Sequence, residues 1–240
     1  MVKILLAGIP VEFDNRYPDL HELCRGFETE LTAEIQIRVA PEELAQERAM
    51  QPGDFSDGYL ETVCAYRKAA NALLDRDVFV MHGSVVAVDA EGYAFLAPSG
   101  VGKTTQTQLW QQHFGARLHV INGDKPLIRM VTTADGVRFD AYGTPWRGKE
   151  GLGGNLSAPL KALFFLNRSQ EPEAVPADHI QTVDLLFRQL LLPREPDRML
   201  RLLDMADKLV STLPFYVLNC DMSENSVIRA YQAVKGRTSE

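Results

Sequence analysis

Residues 93–105 run Tyr-Ala-Phe-Leu-Ala-Pro-Ser-Gly-Val-Gly-Lys-Thr-Thr, and a chain carrying this run has few ways to fold around it. The apolar stretch 93–97 predicts a strand, and the stretch 104–114 (TTQTQLWQQHF) predicts a helix. Between them the pattern A-x-x-x-x-G-K-T matches the phosphate loop G-x-x-x-x-G-K-[ST], with Ala97 in place of the first glycine. The residue types follow from the chemistry. Gly100 and Gly102 let the backbone curl so that successive N–H groups point inward at an anion. Lys103 is placed to reach β- and γ-phosphates, and the Thr104 hydroxyl to meet a nucleotide-bound Mg²⁺. The helix start adds its positive dipole end. The expected binding set is therefore Ser99, Gly100, Val101, Gly102, Lys103, Thr104 and Thr105, with ATP and Mg²⁺ as the expected cofactors.

Composition narrows the classes. At 240 residues, 45% hydrophobic and 24% charged, the chain can bury one sizeable core, or one with a small lobe. A net charge of −7 argues against a nucleic-acid partner. Cys24, Cys64 and Cys220 are widely spaced and form no C-x-x-C, which suits reduced thiols in a cytoplasm better than disulfides or zinc. The apolar start, residues 2–9, is too short for a signal peptide. No apolar run approaches the length of a membrane span, so a cytoplasmic, membrane-free protein is expected. Self-association is left open.

Along the chain, strands are expected at 2–9 and 33–40, and a short helix from Pro41. Gln51-Pro52-Gly53-Asp54 marks a boundary between an N-terminal α+β lobe (1–55) and a nucleotide core with a helical C-terminal part (56–240). A helix is expected at 59–74, then one long apolar strand at 77–89 and a hairpin turn at 89–92. A further hairpin is expected over 127–141, and a buried strand at 160–166. Residues 169–178 read as a surface loop. Helices at 179–192 and 196–211, a strand at 215–218 and a helix at 223–233 complete the chain. Hairpins mixed with strand–helix units predict an α/β fold with a mixed sheet.

A phosphate loop binds; transfer needs a second carboxylate near the metal. Asp124, closing the apolar strand that follows the loop helix, is the candidate metal ligand beside Thr104, although Asn122-Gly123-Asp124 also reads as a plain turn. His82 lies in the strand before the loop strand, where a lone histidine is more often structural than catalytic. The segment 142–151 carries Arg147 and Lys149 among glycines. It suits either stabilisation of charge on a transferring phosphoryl group or a solvated basic turn.

The order His82-Gly83-Ser84, then Ala97 to Thr105, then Ile121-Asn122-Gly123-Asp124, resembles the HPr kinase/phosphorylase C-terminal domain. It is similar also to the nucleotide core of ATP-dependent phosphoenolpyruvate carboxykinase. The segment 143–150 (GTPWRGKE) resembles that of small HPr-kinase-like bacterial proteins, some of whose relatives phosphorylate serine in peptides such as lasso-peptide precursors. The resemblance covers residues 59–166 well and the rest loosely. It implies a mixed-sheet P-loop core and a serine kinase acting on a peptide or small protein. It further implies catalytic roles for Asp124, His82 and Arg147, with Lys149 beside them. Gly123 stands where the family has the first of two Asp residues, which sets a degenerate nucleotide-binding scaffold against the kinase reading. A nucleotide hydrolase or switch is the other alternative, although N-K-x-D and L-S-G-G-Q are both absent.

Overall fold

Two left-handed residues shape the start of the chain. Ala7 (φ 51°) and Gly8 (φ 81°) turn β1 (Val2–Leu6) back into β2 (Ile9–Asp14), so the strand expected at 2–9 is a hairpin. The run is apolar on both sides of the turn, which hides it. The computed structural model describes residues 1–236. After α1 (Pro18–Leu23), β3 (Ile35–Arg38) pairs in parallel with β2, and α2 (Pro41–Met50) follows. The Ser56 hydroxyl then caps α3 (Asp57–Leu73) by accepting the Tyr59 N–H, 3.1 Å. This small sheet does not bury its apolar face alone. Ile4, Val11, Phe13 and Leu20 share one core with Cys64, Ala65 and Leu73 of α3, and with Val78, Val80 and Leu127 further on.

The remaining strands build a second sheet of nine. They are β4 (Val78–Val80), β5 (Gly83–Val88), β6 (Glu91–Leu96), β7 (Leu118–Asn122), β8 (Leu127–Thr133), β9 (Gly136–Tyr142), β10 (Ser157–Arg168), β11 (Glu173–Pro176) and β12 (Phe215–Cys220). The order is β4-β8-β9-β10-β6-β5-β7, with β12 and β11 joining at β10. Strand β10 is the pivot. Its first residues pair antiparallel with β9, its middle pairs in parallel with β6, and its end pairs in parallel with β12. The result is a mixed α/β fold with a curled mixed sheet. No helix among the described residues is long and apolar enough to cross a membrane.

Both faces of the central strands are buried, so they read as unbroken apolar runs. Tyr93, Phe95, Val86 and Phe164 face a core filled by α4 (Lys103–Phe114) and, at the end of the chain, α7 (Glu224–Lys235). Ala94, Leu96, Val85 and Leu163 face the opposite core, closed by α5 (His179–Phe187) and α6 (Pro196–Thr212). A register shift between Leu160 and Ala162 puts Leu160 on the same face as Leu163, against strict alternation. Trp110 anchors α4 within a cluster of Tyr93, Phe95, Phe114 and Phe164.

Three further expectations change. The long strand at 77–89 is two strands on different partners, β4 on β8 and β5 on β6 and β7. The chain crosses over at Met81-His82, where the His82 N–H donates to the Gln189 carbonyl, 2.7 Å, and the Gly83 N–H to that of Asp124, 3.0 Å. The loop at 169–178 contains β11, recruited by the edge of β12. The helix expected at 179–192 stops at Phe187, the chain turns at Arg188-Gln189, and Leu190 bridges to Met81 beside His82.

Candidate functional site

Strand β6 delivers the chain into the glycine loop, and the loop's shape rests on backbone angles. Gly100 (φ 81°) and Gly102 (φ 138°) both adopt angles that side chains resist, yet a Cβ at either would meet nothing within 4 Å. Helix α4 follows Gly102 without a side-chain cap, as α1 and α6 also begin, whereas Ser56, Asp178 and Ser223 cap α3, α5 and α7. Its first N–H groups are thus left to an outside partner. The Lys103 ammonium is buried and donates to the Ala97 carbonyl, 2.7 Å. Burial pushes it below the usual lysine range, while Asp124 pulls it back up. From the far end of β10, Arg168 donates to the carbonyls of Gly100 and Val101 and braces the loop from outside.

Asp124 stands opposite, on a turn built by Asn122. That side chain is fully buried, and its Oδ1 accepts the N–H groups of Asp124 and Lys125, 2.8 and 2.7 Å. Its Nδ2 donates to the Thr144 hydroxyl, 3.0 Å, which in turn donates to the Lys125 carbonyl, 2.9 Å. The backbone that carries the Asp124 carboxylate is therefore held in place. His82 Nε2 lies 3.4 Å from its Oδ1, and Lys125 Nζ 2.9 Å from its Oδ2. Burial pushes the carboxyl up, but His82 and Lys125 outweigh it and bring it down to about 2. Burial and the nearby Asp124 charge push the Tyr66 hydroxyl up.

The segment 143–154 closes the site. A Cβ at Gly143 would fall 1.8 Å from the Gly154 carbonyl oxygen, so only glycine lets the two stretches touch. Gly148 (φ 72°) presses against Asp124, with a Cβ there only 3.0 Å from that of Asp124. Arg147 donates to the Gly153 carbonyl, 2.9 Å, and keeps a buried Nε with no partner. Lys149 is exposed. At Gly123 a Cβ would lie 3.1 Å from Leu152 Cβ and 3.3 Å from the Arg147 carbonyl oxygen. A side chain at 123 would press on this segment, and glycine leaves the contact unstrained.

One cleft of about 1170 Å³ joins these parts. It is lined by Ser99, Gly100, Gly102, Lys103, Thr104, Thr105, His82, Asp124, Arg147 and Lys149. Val101 is the exception among the expected residues. Its side chain packs into the core under α4, and only its carbonyl, held by Arg168, bears on the loop. Sequence reasoning missed Lys125, Asn122, Tyr66 and Arg168. The first two were visible as the neighbours of Asp124 in a turn; Arg168 has no local signal. The lining holds six cationic side chains against three carboxylates, in a chain whose net charge is −7. An anion is the ligand such a cleft attracts.

A divalent cation fits one way. No group of three or more His, Cys, Asp or Glu that could cage a metal exists among the described residues. Thr104 and Asp124 offer a hydroxyl and one carboxylate in the same cleft, hard oxygen donors that suit Mg²⁺ held jointly with phosphate oxygens.

No family model and no curated protein matches this sequence. Among solved structures the chain is similar to the Hpr(Ser) kinase/phosphatase from Coxiella burnetii, with a TM-score of 0.37 and 9% identity over 67% of this chain and 94% of that one. So remote a likeness says nothing about chemistry, and the reading below rests on this chain's own residues.

Proposed function

We propose that this protein is an ATP- and Mg²⁺-dependent phosphotransferase that moves the γ-phosphoryl group to a hydroxyl, the serine of a peptide or small protein. One observation carries the reading. The uncapped, glycine-led start of α4 with Lys103 and Thr104 shares a cleft with a fixed carboxylate, Asp124, paired to His82. Lys103 would exchange its loop carbonyl for the phosphates. When bound, Mg²⁺, held by Thr104 and Asp124, would supply positive charge to the phosphates.

The environment sorts the roles of the other residues. A carboxyl held near 2 is ionised at neutral pH but a weak proton acceptor, so Asp124 suits charge and metal binding better than general base work. His82, beside it, is the better placed group to take the hydroxyl proton. Arg147, with an unpartnered Nε, and Lys149 supply cations toward the transferring group. The glycine at 123 favours a second reading, a nucleotide-binding scaffold, because it leaves Asp124 without a second carboxylate beside it.

Incubation with γ-labelled ATP, Mg²⁺ and serine-containing peptides separates the readings. Label on the peptide is expected. Free phosphate alone would mean a hydrolase, and bound but unconverted ATP a scaffold.

A further inference from the structure

Each oxygen of the Asp124 carboxylate faces a cationic or hydrogen-bonding side chain. His82 stands 3.4 Å from Oδ1 and Lys125 2.9 Å from Oδ2, while Gly148 packs against its Cβ and Cγ. A divalent cation approaching Oδ2 meets the Lys125 ammonium already there, and two cations on one oxygen repel. His82 is tethered through its backbone N–H to the Gln189 carbonyl, and its ring sits on a single methylene, so it reaches less far than a lysine head. Lys125 differs. Its backbone N–H is fixed by Asn122 and its carbonyl by Thr144, but its ammonium rides on a four-carbon stem and is 38% exposed. The ammonium also lies over the Tyr66 ring, 5.6 Å from its centroid, on a wall of the same cleft, so that aromatic face can keep hold of it when it leaves the carboxylate.

We propose that the Lys125 ammonium and a divalent cation are alternative occupants of Asp124 Oδ2. Lys125 holds the carboxylate charged and aimed before metal arrives, and metal binding releases the ammonium into the cleft toward an anionic ligand. A positive charge is then always present at Oδ2, and one more becomes available only on metal loading. Lys125 is a positioning residue in the first state and a ligand-facing one in the second. The inference rests on the phosphotransferase reading for the nature of the anion, but not for the exchange itself.

The test uses Mn²⁺ alone, with no nucleotide, read by water-proton relaxation and by paramagnetic broadening of the Asp124 side-chain resonance. Lys125→Met should bind Mn²⁺ about tenfold more tightly than the parent, because the competing ammonium is gone. Lys125→Arg should stay close to the parent. Lys208→Met, which removes a distant charge paired with Asp204 on α6, controls for net charge. Parental Mn²⁺ affinity in Lys125→Met, or a change no larger than that of Lys208→Met, overturns the exchange. Tighter Mn²⁺ binding in a protein that never transfers phosphate would sink the phosphotransferase reading and leave the exchange standing. Phosphate transfer alongside unchanged Mn²⁺ affinity would do the reverse.

Discussion

At the scale of single residues, the account turns on the charge of Asp124. Its carboxyl is held down to about 2, against 3.8 for an unperturbed aspartate, because His82 and Lys125 outweigh the cost of burial. A depressed carboxyl contributes stability above its unfolded value, and that contribution disappears as pH falls from 3.8 through about 2. Its size is on the order of 2 kcal/mol. A carboxyl ¹³C titration should therefore show Asp124 ionised throughout the range where activity is measured, with a midpoint near 2. A midpoint at the unperturbed value would mean that His82 and Lys125 do not hold the carboxylate in solution. With the midpoint near 2, the acid limb of any pH–rate profile should belong to another group.

At the scale of elements, the loop at 146–151 makes a separable claim. Gly148 and Gly151 both sit at positive φ, 72° and 61°, but only Gly148 touches Asp124; a Cβ at Gly151 would meet nothing within 4 Å. Alanine at either position should cost about 1 kcal/mol from backbone strain. Gly148→Ala alone should shift the Asp124 resonance and weaken Mg²⁺-dependent nucleotide binding. Equal binding defects in both variants would reduce the loop's role to general strain. The two elements were unequally legible. The glycine loop could be read from sequence because its geometry depends on residue types at adjacent positions. The approach of residues 143–154 to Asp124 could not, because it depends on Gly143 meeting the Gly154 carbonyl and Gly153 meeting that of Ile121. Lys125 escaped notice for a related reason. Neighbouring side chains seldom converge, and it took the Asn122 turn to bring its ammonium onto Asp124.

For the whole molecule, the curled sheet positions the cleft. Strands β5 and β6, buried on both faces, hold the loop rigidly at one wall, while α3 carries Tyr66 and Arg67 at the other. The mixed α/β class was readable from alternating hairpins and strand–helix units. The crossover at Met81-His82 and the strand β11 were not, since each arises from backbone partners distant in sequence. That crossover presents His82 to Asp124, so the fold and the site are coupled at one apolar-to-polar step. The central claim is that this cleft binds a nucleoside triphosphate through the loop before α4. Calorimetric titration of a non-hydrolysable ATP analogue with Mg²⁺ into the parent and into Lys103→Ala tests it most directly. Loss of a charge-assisted phosphate contact should weaken binding by about 1.5–3 kcal/mol, roughly ten- to a hundredfold, with the melting temperature nearly unchanged. Equal affinity in the two proteins, or no binding to the parent, would contradict it.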